Sequence, residues 1–169
     1  MKKFKLLFLF VLTSLVYTSC NDDDDLMVPE PSGNTVVYQL GSKDVDGIFG
    51  KATFVENTDA SVTVVLDIEG TPSDGLHPAH IHFNTAAEGG DIALTFTPVD
   101  GNSGLSATTF TTLNDGTAIS YAELLDFDGY INVHLSADEL GTVVAQGDIG
   151  QNALSGTSII YDLGEKDVT

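Results

Sequence analysis

The sequence contains no arginine and no tryptophan, a single cysteine, and only six lysines in 169 residues. Three of those lysines (Lys2, Lys3, Lys5) fall in the first five positions. The chain beyond residue 19 therefore sets Lys43, Lys51 and Lys166 against all 25 acidic residues, a balance of −22. Binding to nucleic acid needs clustered Lys and Arg against phosphate, so that class is excluded. The same field repels anionic membrane surfaces and anionic substrates, and it leaves cations as the natural small partners. With one cysteine, Cys20, no internal disulfide can form, and the fold has to rest on its apolar core. The length and an apolar content of 42% suffice for one such core and not for two of ordinary size. No GxSxG elbow or other nucleophile signature occurs, which argues against a hydrolase.

The position of Cys20 explains it better than redox chemistry does. A basic start (MKKFK), an apolar run from Leu6 to Val16 and small residues Thr18 and Ser19 read as a secretory signal peptide over residues 1–19. The run is too short for a membrane span. A cysteine at the cleavage point resembles the lipobox of bacterial lipoproteins, with Tyr17 where leucine is usual, and implies lipidation of Cys20 and attachment to a membrane through that lipid. The plainer reading is a secreted protein with a chance cysteine. The NDDDD run that follows resembles the export signal for the outer face of the outer membrane in Bacteroidetes-like bacteria. It also reads as a self-repelling acidic spacer. Residues 20–34 are thus expected to form a tether, stiffened by Pro29 and Pro31, that holds the domain of residues 35–169 at the cell surface or facing the periplasm.

From Thr35 onward, short alternating or apolar runs are punctuated by turn residues, the pattern of an all-β chain. In SVTVVLDIEG, Val62, Val64, Leu66 and Ile68 alternate with Thr63, Val65, Asp67 and Glu69, which predicts a half-buried antiparallel strand. Ser120 and Glu123 have capping-box spacing before Leu124 and Leu125, so a short helix is expected there. Asp138 to Leu140 is expected to add one helical turn. The segments TVVYQLGSKDV from Thr35 and SIIYDLGEKDV from Ser158 match position by position. Such an echo fits a truncated tandem array, or two equivalent edge strands that pair with each other or with a neighbouring chain. The latter would make strand-paired self-association or adhesion a third class of function.

All four histidines lie in two stretches, GLHPAHIHF (His77, His80, His82) and YINVHLSADELG (His134). Residues two apart on a strand share a face. His80 and His82 should therefore project together, and so should Tyr130, Asn132 and His134. If the two strands lie side by side, the imidazoles converge, either as a metal site or as a polar cluster that keeps the strands in register. For a metal, His80, His82 and His134 are the ligands, with copper or zinc the ion and copper favoured by a nitrogen-rich set. His77 precedes Pro78, which breaks its parity with the strand. It is expected to orient a neighbour or to act as an extra ligand; Asn132 and Tyr130 are further ligand-orienting candidates, or sheet-face polar groups that are simply solvated or paired. The Asp pairs in DVDG, VDGN and DFDG lack the oxygen loop that calcium requires and read as turns.

GLHPAHIHF, GGDIAL and FDGYINVHLSADELGTVVAQGDIGQ together resemble the CHRD domain, the module named for chordin and frequent in exported bacterial proteins. The resemblance covers most of Thr35 to Gln151 and implies an antiparallel immunoglobulin-like or superoxide-dismutase-like Greek-key sandwich. The histidine stretches are also similar to the copper strands of copper-zinc superoxide dismutase, with His80, His82 and His134 at copper-ligand positions and His77 at that of a histidine that is not a ligand. No histidine lies between His82 and His134 to bridge to a second metal, and the arginine that steers superoxide has no counterpart. These absences favour a binding or structural module over a copper-dependent oxidoreductase. For the tether, Cys20→Ser is expected to release the chain from the membrane fraction on sedimentation; a variant that still sediments with membranes rules out lipid anchoring.

Overall fold

The computed structural model describes residues 29–153 and, for the backbone, 158–162. The segments read as signal peptide and most of the tether, Cys20 included, lie outside the described residues. Eleven strands follow one another as β1 (Pro31–Ser42), β2 (Phe49–Asn57), β3 (Val62–Glu69), β4 (Leu76–His77), β5 (Ala79–Phe83), β6 (Ile92–Thr95), β7 (Val99–Asp100), β8 (Leu105–Phe110), β9 (Asp128–His134), β10 (Val143–Gly150) and β11 (Ser158–Asp162). One helix, α1 (Tyr121–Leu125), interrupts the series before β9. The protein is all-β and antiparallel, with a curled sheet, as the alternation predicts.

Strand order in the main sheet is β6-β5-β9-β10-β1-β2-β3-β8, with β11 added to β1. β1 joins the two halves because it changes partner along its length. Asn34 to Tyr38 pair with β11, whereas Gly41 and Ser42 pair with β10. The first strand begins at Pro31, ahead of Thr35, with a register shift between the two. The sequence echo is resolved as internal pairing: Thr35 stands opposite Tyr161 and Val36 opposite Ile160, antiparallel.

One apolar cluster fills the space under the curl. Val62, Val64, Leu66 and Ile68 are 0–3% exposed, and Val36, Tyr38 and Leu40 of β1 face the same way. Phe54 is fully enclosed and meets Tyr38 edge-on, with ring centroids 5.4 Å apart. From the other half come Ala79 and Ile81 of β5, Ile131 and Val133 of β9, and Ile149 of β10. Each enclosed Val, Leu, Ile or Phe contributes about 1.5–3 kcal/mol through burial.

The helix forms where its capping box predicts. The Ser120 side chain accepts from the Glu123 N–H, and Glu123 accepts in return from the Ser120 backbone and hydroxyl. Tyr121 and Leu124 face the core. The turn expected at Asp138 to Leu140 is not helical: Ser136 to Thr142 is a pair of tight turns closed by Glu139 N–H to Ser136 O and Thr142 N–H to Glu139 O. The bonds close one turn after the other, and Leu135 N–H on the Thr142 carbonyl then returns the chain from β9 to β10. Phe54→Ala is expected to cost about 3–5 kcal/mol, read as a lowered denaturation midpoint; an unchanged midpoint would mean that the cluster does not close around Phe54.

Candidate metal centre

β5 and β9 are direct neighbours, with Ala79 opposite Val133, His80 opposite Asn132, Ile81 opposite Ile131 and His82 opposite Tyr130. The apolar member of each alternation points into the core, so the polar members must share the other face. His80, His82 and His134 meet there, each offering one ring nitrogen, and these atoms all lie within 4.8 Å of one another. The three could hold a metal ion.

The atoms available can be read from the other contacts of each ring. Nδ1 of His82 lies 2.9 Å from the Gly90 carbonyl, so Nδ1 carries the proton and donates, leaving the lone pair on Nε2. That Nε2 is sealed from solvent and has no hydrogen-bond partner, although the ring as a whole is only partly buried. Gly90 is required for this approach, because a Cβ there would collide with the Phe83 carbonyl. Nε2 of His134 and Nδ1 of His80 are 3.2 Å apart, a hydrogen bond in which a single proton sits between two rings. Both side chains are less than a tenth exposed. A metal at the usual imidazole distance of about 2.0–2.1 Å fits between two nitrogens at this separation. Its cost is that one hydrogen bond, worth on the order of 1 kcal/mol.

Electrostatics keep two of the rings, His80 and His134, neutral. Burial lowers the His80 pKa from 6.5 to about 4, with the neighbouring His134 and His82 adding to the effect. Burial also lowers that of His134; the Leu140 backbone opposes this and His82 reinforces it. The Leu140 backbone exerts this pull without making a hydrogen bond of ordinary geometry to Nδ1 of His134, which is buried and unpaired. Neutral imidazoles are the form that binds metals.

The supporting candidates lie nearby in different roles. Asn132 faces His80 in register, but its side-chain carbonyl accepts from Gln146 at 2.8 Å, which ties β9 to β10. His77 is 1% exposed and stands apart from the cluster, with Nδ1 2.8 Å from the Leu135 carbonyl and Nε2 3.3 Å from that of Pro72. It fastens the loop before β4 to the residue that follows His134. Tyr130, which strand parity offers with Asn132 as a ligand-orienting partner, stacks its ring on His82 at 4.9 Å and 15° and fixes its plane. Sequence reasoning missed Gly90, whose only signal was a glycine pair following the histidine strand. Of the acidic residues in these stretches Asp100 closes a turn, as expected, accepting from the Asn102 and Ser103 N–H groups and from the Ser103 hydroxyl, whereas Asp44 accepts from the Val143 N–H and Asp128 from the Asn152 side chain.

A shallow cleft of about 210 Å³ lined by Gln39, Phe49, Gly50, Lys51, Asp67 and Glu69 lies on β1 to β3, in the other half of the sheet. Its lysine is paired with Asp67 at 3.1 Å, and it brings no histidine together. Compared with protein-family models and with curated protein sequences, the chain matches none.

Buried His80 and His134 make stability depend on pH. Their native pKa values lie below the unfolded value near 6.5, so above pH 6.5 they are neutral in both states and cost nothing. As pH falls from 6.5 towards 4 the unfolded chain binds protons that the native His80 refuses, and stability falls. Metal-free protein should lose melting temperature over this window, and His80→Asn with His134→Asn should lose less. Parallel curves for the two proteins would contradict the burial argument.

Proposed function

We propose that the protein is an exported bacterial lipoprotein whose single CHRD-like domain is a binding module, holding one copper or zinc ion through His80 Nδ1, His82 Nε2 and His134 Nε2. The observation that carries this reading is the convergence of three imidazoles, one presenting a sealed nitrogen that no protein group satisfies. Nitrogen ligands rank copper above zinc among first-row divalent ions, so copper is the ion expected where both compete. His77 and Tyr130 orient this set, and Asn132 braces the strand that carries His134.

The cell-surface placement rests on Cys20 and the acidic run after it. In this reading attachment is through the lipid on Cys20; no helix among the described residues is long and apolar enough to cross a membrane.

The superoxide dismutase alternative shares the three ligands. It also needs an anion delivered to the metal. Lys43 and Lys51 are the only described cations, and they face 18 described carboxylates. A field of that sign slows such delivery. The strand-pairing alternative loses its simplest form, because β11 already occupies the β1 edge within one chain.

Metal analysis and copper EPR on the protein and on its His80→Ala, His82→Ala variant provide the test. The expected result is one copper per chain with nitrogen hyperfine structure, lost in the variant. Equal copper uptake by the two proteins would sink the site. Superoxide consumption by the loaded protein should not exceed that of the same amount of free copper.

A further inference from the structure

The charge distribution around the histidines points to what the site takes in. His82 is anchored on Gly90, and the residue after Gly90 is Asp91. His134 lies beside the Leu140 backbone, and the two residues before Leu140 are Asp138 and Glu139. All three carboxylates are exposed, and none takes part in a side-chain hydrogen bond or ion pair among the described residues. Several acidic side chains have a structural task. Asp59, Asp100 and Asp115 close turns, Asp44 accepts from the Val143 N–H, Asp148 from the Ala86 N–H, and Glu88 from Thr85. Asp91, Asp138 and Glu139 have none, as is also true of Glu30, Asp46, Asp74 and Asp126; what sets the three apart is that they sit on the two loops that touch two of the three ligands. Between those loops lie the unpartnered Nε2 of His82 and Nδ1 of His134, the latter on a side chain 6% exposed.

We propose that the species drawn to this face is the hydrated divalent metal cation itself, steered by Asp91, Asp138 and Glu139 to the three histidines. The proposal rests on the metal reading above and adds how the metal arrives and which sign of ligand the face admits. Carboxylates at the mouth raise the local concentration of cations and lower that of anions, and the effect on association rates falls steeply with salt. They need not coordinate the bound ion, so capacity and the final ligand set are unchanged when they are neutralised.

The test is stopped-flow uptake of Cu(II) by the full chain, followed by tyrosine emission. The chain has no tryptophan, and Tyr130 lies against His82. For the unaltered protein the association rate is expected to fall about tenfold between roughly 10 mM and 300 mM salt. Asp91→Asn, Asp138→Asn, Glu139→Gln should take up the same amount of copper several-fold more slowly at low salt, with a flattened salt dependence. The control variant Glu30→Gln, Glu56→Gln, Asp59→Asn removes as much charge from the opposite ends of β1, β2 and β3 and should stay near the parent rate. A salt-independent parent rate, or equal slowing by the two variants, overturns steering by these loops while leaving the histidine site intact. Absence of copper uptake by the unaltered chain removes the site and the steering together.

Discussion

The register between β5 and β9 is the constraint on which the rest depends. With Ile81 opposite Ile131 and His80 opposite Asn132, the core receives an aliphatic ladder and the other face receives the polar one. A slip of one residue would turn the imidazoles and the Asn132 amide into the apolar cluster and turn Ile81, Ile131 and Val133 away from it. Full burial of these aliphatic side chains is worth about 1.5–3 kcal/mol each, so the core pins the register and the histidines are placed as its by-product. The His134 N–H bonded to the Pro78 carbonyl and Asn132 bonded to Gln146 then extend that alignment to both ends of the site.

The acidic excess has two parts that behave differently. Much of it is turn and cap chemistry. Side-chain and backbone donors of Ser61 hold the Asp59 carboxyl below its usual value, those of Ser103 do the same for Asp100, and the Ser120 hydroxyl and N–H do so for Glu123. These groups remain charged well into acid and fasten loops to the ends of strands. The remainder, including Asp91, Asp138 and Glu139, contributes only field. A chain without arginine, and with few lysines to neutralise that field, presents a surface whose sign is set almost entirely by carboxylates.

Much of this was legible because strands announce their faces. The alternation in β3, the capping box of α1 and the parity of the two histidine stretches are all local signals with a fixed period. What the sequence concealed depends on long-range geometry. His77 reads as a histidine out of phase, and only the folded chain shows why: its two nitrogens address carbonyls at Pro72 and Leu135, on different loops. The echo between β1 and β11 was visible, but not its phase. Val36 faces Ile160 rather than its counterpart Ile159, and a doublet of apolar residues at the centre of each copy makes both phases acceptable in sequence. The non-helical turn at Asp138 to Leu140 goes with backbone bonding across the β9–β10 connection, Leu135 N–H to the Thr142 carbonyl, which local propensity does not encode.

The histidines admitted two readings, a metal site and a polar cluster that holds strands together, and the unpaired nitrogens bear on that choice. The strands are already aligned by backbone pairing and by the aliphatic ladder, so a register lock has little left to do. A cluster serving that purpose would also be expected to satisfy its own members. Instead Nε2 of His82 and Nδ1 of His134 are sealed without a partner, each a desolvation cost of about 1–3 kcal/mol. Gly90 and Tyr130 hold His82 in the orientation that keeps its Nε2 unsatisfied, so relaxation does not remove the cost. A cation shared among the three rings recovers it at His82, and by linkage any ion that binds the native state alone stabilises the fold in proportion to its affinity and concentration. The nitrogen that protein groups leave unsatisfied at His82 is the one a cation would engage, which is why a cluster of this kind fits a metal better than a structural role.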